Sequence, residues 1–129
     1  MNRKIYLQPM KFMPYDNGHV IAYLNEEVIE GFVPDDGDPI PHPVTAYAYT
    51  GPEADGGTLL DVSGTDRDSL INAIIRTHYS QSEEDALKTH QILLLQNPDH
   101  PKKSDYQSEW SQFLVERQYA IDTVDAWLQ

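Results

Sequence analysis

All seven glycines of this 129-residue chain lie at or before position 64, and seven of its nine prolines lie there too. Residues 65–129 hold no glycine, and their two prolines, Pro98 and Pro101, sit close together. Inside a helix, glycine costs about 1 kcal/mol relative to alanine and proline about 3 kcal/mol. Long helices are therefore barred from the first half and free to form in the second. The partition predicts an α+β fold: a small N-terminal antiparallel β-sheet with hairpins, followed by three α-helices. The length fits a single domain, 1–129, with a strand and loop region over 1–64 and a three-helix region over 65–129.

Within the first half, Ile5 to Phe12 is a candidate strand that Pro9 demotes to an edge or an irregular arm. Asp16-Asn17-Gly18 is a turn signal, because Asn-Gly accepts the positive φ of tight hairpins. His19 to Leu24 then alternates, with Val20, Ala22 and Leu24 on one face and Ile21 and Tyr23 on the other. Asn25-Glu26-Glu27 reads as a turn from which Val28 to Val33 returns. Residues 34–43 hold four prolines and three aspartates and read as a long exposed loop. Val44 to Thr50 alternates again, with Tyr47 and Tyr49 on one face. Half-buried faces and interfaces suit such rings with polar tips, and a sheet face covered by the helices is expected ahead of an interface. Thr58 to Val62 is the last strand.

Signals are stronger in the second half. Thr65 and Asp68 have capping spacing, which predicts a helix with Thr65 as N-cap, Ile71, Ile74, Ile75 and His78 on one face, and an end near Tyr79. Ser80…Glu83 and Ser82…Asp85 both have capping spacing for a second helix. That helix carries Ala86, Leu87, His90, Leu93 and Leu94 and stops at Asn97-Pro98. Ser104 is the expected cap of the longest helix. Its stripe runs Tyr106, Trp110, Phe113, Leu114, Arg117, Ile121, Val124 and Leu128 and calls for a large partner surface.

Charge removes several function classes. Twenty-one acids against nine bases give a net charge of -12. Phosphate backbones are held by lysine and arginine, so direct nucleic-acid binding is not expected. Anionic membrane surfaces are disfavoured for the same reason, and no apolar run reaches transmembrane length. The N-terminus lacks the apolar core of a secretory signal, so the expected setting is cytoplasmic, with incorporation into a virion left open. The absence of cysteine removes disulfides, thiolate metal sites and cysteine nucleophiles.

No catalytic constellation, cofactor motif or metal set emerges, so no catalytic, cofactor-binding or metal residue is assigned. Asp35-Asp36-Gly37-Asp38 lacks the alternation and the distal glutamate of a calcium loop and reads as a solvated acidic loop. The histidines have no ligand spacing. His78 and His90 could meet across a helical hairpin, with Glu84 or Asp85 as a third ligand, but boundary positions account for them better. Ser63-Gly64 lacks the flanking glycines of a nucleophile elbow. Gly56-Gly57 lacks the lysine of a phosphate loop. Arg76 could pair with Glu83, Glu84 or Asp85 and clasp the first two helices together.

Two stretches carry a resemblance. One is Ala46-Tyr47-Ala48-Tyr49-Thr50-Gly51-Pro52-Glu53-Ala54-Asp55-Gly56-Gly57-Thr58-Leu59-Leu60. The other runs from Arg67-Asp68-Ser69-Leu70-Ile71-Asn72-Ala73-Ile74-Ile75-Arg76 through Tyr79-Ser80 to Glu83-Glu84-Asp85-Ala86-Leu87. Together they resemble small uncharacterised proteins of phages and prophages of gut anaerobes, over roughly residues 44–125. The resemblance implies a setting and brings no reaction, cofactor or catalytic residue. The expectation is a non-enzymatic interaction protein, a virion or assembly component, working with a protein partner or as a homo-oligomer. One alternative is an acidic decoy that mimics nucleic acid, which requires carboxylates in rows on one face. Another is a small enzyme with His and Asp/Glu chemistry, which requires a pocket placing His42, His78 or His90 beside carboxylates.

Overall fold

The computed structural model describes residues 1–35 and 42–129. Its elements are β1 (Asn2–Tyr6), β2 (Phe12–Asp16), β3 (His19–Ala22), β4 (Glu27–Phe32), β5 (Val44–Gly51), β6 (Thr58–Asp61), α1 (Arg67–Ile75), α2 (Gln81–Gln96) and α3 (Lys103–Trp127). The fold is α+β, with the strands first and the three helices after them, as the glycine and proline partition requires. Two compact units result, Met1–Asp61 and Val62–Gln129. The boundary falls three residues before the last glycine.

The strand unit holds two antiparallel three-stranded sheets, ordered β1-β5-β4 and β2-β3-β6. Asn17-Gly18 turns β2 into β3, with Gly18 at φ 106°. The strand expected over 5–12 is instead divided. β1 ends at Tyr6, and the chain around Pro9 is irregular before β2 begins at Phe12. The return of 28–33 onto β3 is also corrected: β4 pairs with β5, and β3 pairs with β2 and β6. The cause is a crossing at Tyr23-Leu24. There the Tyr23 amide donates to Lys11 and the Thr50 amide donates to Leu24, so the chain passes from one sheet to the other. Asn25, at φ 58°, makes the bend. The loop expected over 34–43 lies largely outside the described residues.

Three tyrosines form the centre of this unit. Tyr6, Tyr23 and Tyr49 have ring centroids 5.8 to 6.1 Å apart, two of the pairs edge-on. Tyr49 is buried, and Tyr47 on the same face of β5 is half-buried. Central strand β5 buries Ala46 and Ala48 on one side and Tyr49 on the other. The Tyr49 hydroxyl donates to Glu26 at 2.7 Å and accepts the Met10 amide at 2.8 Å. Tyr23 donates to the Asp55 carboxylate at 2.7 Å, and Tyr6 donates to the Asp55 carbonyl at 2.6 Å. Burial and these carboxylate partners push the Tyr23 and Tyr49 hydroxyls well above the usual tyrosine range.

The Asp55-Gly56-Gly57 turn thus has a packing function. The Asp55 carboxylate accepts the Gly57 amide as well as Tyr23, and these bonds hold its pKa below the ordinary value. Gly56 sits at φ 81°, where a Cβ would lie 2.7 Å from the Tyr49 carbonyl. A Cβ on Gly57 would lie 2.5 Å from Ile21. Only glycine lets this turn approach the strands so closely.

In the helical unit, the α1 cap is Asp66 rather than Thr65. Its carboxylate accepts both the amide and the hydroxyl of Ser69, and a carboxylate is the stronger acceptor. α1 ends at Ile75, one turn before Tyr79. α2 opens with the expected capping box, Ser80 and Glu83 each accepting the other's backbone amide. Ser104 does not cap α3. The helix starts at Lys103 with no side-chain cap, so Ser104 lies inside its first turn. The stripe expected on α3 separates into two. Phe113, Ala120, Val124 and Trp127 are buried, whereas Leu114 is exposed and Trp110 and Ile121 are half-buried. No helix among the described residues is long and apolar enough to cross a membrane.

Candidate functional site

The α2–α3 hairpin presents two lined faces, and helical spacing separates them. On the first, Glu84, Lys88, Gln91 and Leu95 of α2 step by 4, 3 and 4, and Lys103, Gln107, Trp110, Leu114, Arg117 and Ile121 of α3 by 4, 3, 4, 3 and 4. Such spacing places each set along one helix face. Toward the hairpin tip this face forms a groove of about 440 Å³, lined by Gln91, Leu94, Leu95, Pro98, Lys103, Gln107 and Trp110. Leu95 is 83% exposed and Leu114 43%. Ile92, beside them, is also exposed. α2 buries only Glu84 and Leu87 of its sixteen residues, so most of its apolar content faces outward.

Toward α1 the same face becomes charged. A groove of about 370 Å³ is lined by Arg67, Arg76, Lys88 and Arg117, with Asp68 and Glu84, and by Ile71, Ile75 and Ile121. Arg76 donates to Glu84 at 2.6 Å and Lys88 reaches the other carboxylate oxygen at 2.6 Å. Burial alone would raise the Glu84 pKa, but the bonds from Lys88 and Arg76 outweigh it and hold the carboxyl below its ordinary value. Arg76 also donates to Asn72 and to the Tyr79 carbonyl. The clasp between the first two helices is therefore present, with Glu84 as the partner among the three candidates.

The opposite face of the hairpin has a third groove, about 350 Å³, lined by Tyr79, Glu83, Ala86, Leu87, His90, Glu109 and Gln112. Here His90 Nδ1 bonds Glu109, and the imidazole stacks on Tyr106 with centroids 4.0 Å apart and planes 6° from parallel. His78 lies 3.8 Å from Glu116. The two histidines thus each face a different glutamate of α3, and no third ligand joins them. His42 is exposed. Among the described residues no three His, Cys, Asp or Glu side chains are placed to hold a metal. Ser63 bonds Ser69 at 3.2 Å, with no histidine in that pair.

The groove at the hairpin tip had a weak trace in the sequence. Leu93, Leu94 and Leu95 are consecutive, and no helix can bury all three against one neighbour. Burial of Glu84 was also readable, since Lys88 follows it by four residues and Arg76 closes the preceding helix. The chain matches no family model, no curated protein and no solved structure.

Proposed function

We propose that the chain is a non-enzymatic interaction protein, and that another protein docks on the α2–α3 face bearing Leu95, Trp110 and Leu114. The observation that supports this is the apolar groove at the hairpin tip, which continues along the same face into a cationic end. That gradient fits a partner segment with an apolar anchor flanked by carboxylates. A second copy of the chain is the less favourable occupant, because two bodies of charge -12 repel one another. A phage or prophage setting, with the chain as a virion or assembly component, is inferred from the resemblance in residues 44–125. Light scattering across a concentration series tests the choice of occupant. A monomer whose partner binding is abolished by Leu95→Asp agrees with it, and a dimer dissolved by that substitution overturns it.

A second reading rests on the His90 groove. A histidine oriented by a carboxylate is a general-base arrangement. The remaining lining offers no serine, threonine or lysine as nucleophile. Stacking on Tyr106 and bonding to Glu109 give His90 a packing role across α2 and α3. Retention of partner binding in His90→Gln, with no hydrolytic activity lost, separates the two readings.

A further inference from the structure

We propose that the groove between α1, α2 and α3 is a binding site for a small phosphomonoester. The helical unit carries eleven acids and only six bases, yet four of the six bases line this one groove. They come from all three helices: Arg67 from the start of α1 and Arg76 from its C-cap, Lys88 from α2 and Arg117 from α3. Two of them are largely committed. Arg67 pairs with Asp125 through Nε and Nη2, and Arg76 uses most of its N–H groups on Asn72, Tyr79 and Glu84.

Donors remain where an anion needs them. Lys88 gives one of its three N–H groups to Glu84, which leaves two. Arg117 is exposed and makes no hydrogen bond or ion pair with the described residues, so its whole guanidinium fork is available. Donors lining one groove from separate helices suit a tetrahedral oxyanion, and a guanidinium can bind it through two parallel bonds. The apolar part of the lining, Ile71, Ile75 and Ile121, would hold the body of an ester. A volume of about 370 Å³ lies within the range of small-molecule sites. The negative field of the whole chain disfavours anions at long range, but physiological salt screens it beyond roughly 8 Å. Binding therefore rests on the local donors.

The test is a titration of the full chain, followed by amide shifts in NMR, with inorganic phosphate and with phenyl phosphate, each against sodium chloride of equal ionic strength. The expected result is saturable shifts at Arg76, Lys88 and Arg117, with phenyl phosphate binding about threefold or more tighter than phosphate because its ring covers the isoleucines. Arg117→Ala removes no hydrogen bond or ion pair among the described residues, so it should fold normally and weaken binding by about fivefold or more. Lys102→Ala, an exposed lysine outside the three grooves, should leave binding unchanged. The proposal is overturned if sodium chloride reproduces the shifts, if Arg117→Ala binds as tightly as the parent, or if phenyl phosphate gains nothing over phosphate.

Discussion

Arg76 Nη2 lies 2.6 Å from Glu84 Oε1 across the turn that joins α1 to α2, and Lys88 holds the second oxygen of the same carboxylate. Glu84 is the one charged side chain among the buried residues described. Its burial is tolerated because two cations and two hydrogen bonds satisfy it. The same contact joins Arg76 and Lys88 at one groove.

Glu84→Gln should destabilise the chain by about 2 kcal/mol at pH 7, since hydrogen bonds to charged groups contribute about 1.5–3 kcal/mol. The folded pKa of Glu84 is depressed, so its contribution is present above the ordinary carboxylate pKa and is lost as pH falls through the folded value. Urea unfolding at pH 7 and at pH 3 checks this. The gap between parent and variant should narrow at the lower pH, and a gap independent of pH would refute the ion-pair account.

Tyr49→Phe removes one hydroxyl and leaves both the Met10 amide and Glu26 without that partner. A neutral hydrogen bond contributes about 0.5–1.5 kcal/mol and one to a charged group about 1.5–3 kcal/mol. Denaturant unfolding should show a loss of that size, whereas Tyr15→Phe, at an exposed position, should be neutral.

Gly57→Ala places a Cβ against Ile21, and Gly56→Ala adds a positive φ to a backbone clash. Overpacking of this kind costs about 1–3 kcal/mol. Thermal melts of both variants should fall below the parent. Gly18→Ala should cost less, because its site is open and only its φ is unfavourable.

How much of this was legible follows from the kind of signal each feature leaves. The α+β order came from glycine and proline, which act locally, and the capping box at Ser80 and Glu83 is local as well. The pairing of β4 with β5 was not readable, because a backbone crossing at Tyr23-Leu24 decides it and leaves no periodic trace. Ser104 and Thr65 differ from the observed caps for a smaller reason: each stands one or two residues from the helix boundary, where several residues could cap. The expected α3 stripe takes in apolar residues from two faces of that helix, and only tertiary contact separates Phe113 from Leu114. The tyrosine cluster was visible as composition, but its dependence on Asp55 and Glu26 was not, since those partners lie 23 to 49 residues away.

His19 bonds Asp16 through one ring nitrogen and faces Asp61 at 2.8 Å with the other, and these carboxylates raise its pKa, Asp16 most. A raised folded pKa stabilises the fold below the ordinary histidine value and loses that effect as pH rises through the folded one. His19→Gln should therefore be less stable than the parent at pH 5.5 or so and approach it at about pH 9. Thermal melts across that range provide the check, and a constant difference would contradict the assignment.

The docking face is tested most directly by site-specific photo-crosslinking inside cells that express the chain. A photoreactive residue at Gln107, in the groove, should form an adduct with a distinct protein that carries carboxylates beside an apolar segment. The adduct should vanish in Leu95→Asp, and a photoreactive residue at Gln112, in the groove on the opposite face of the hairpin, should not form it. Equal adducts from both positions, or an adduct of twice the chain's own mass, would contradict the proposed face or its proposed occupant.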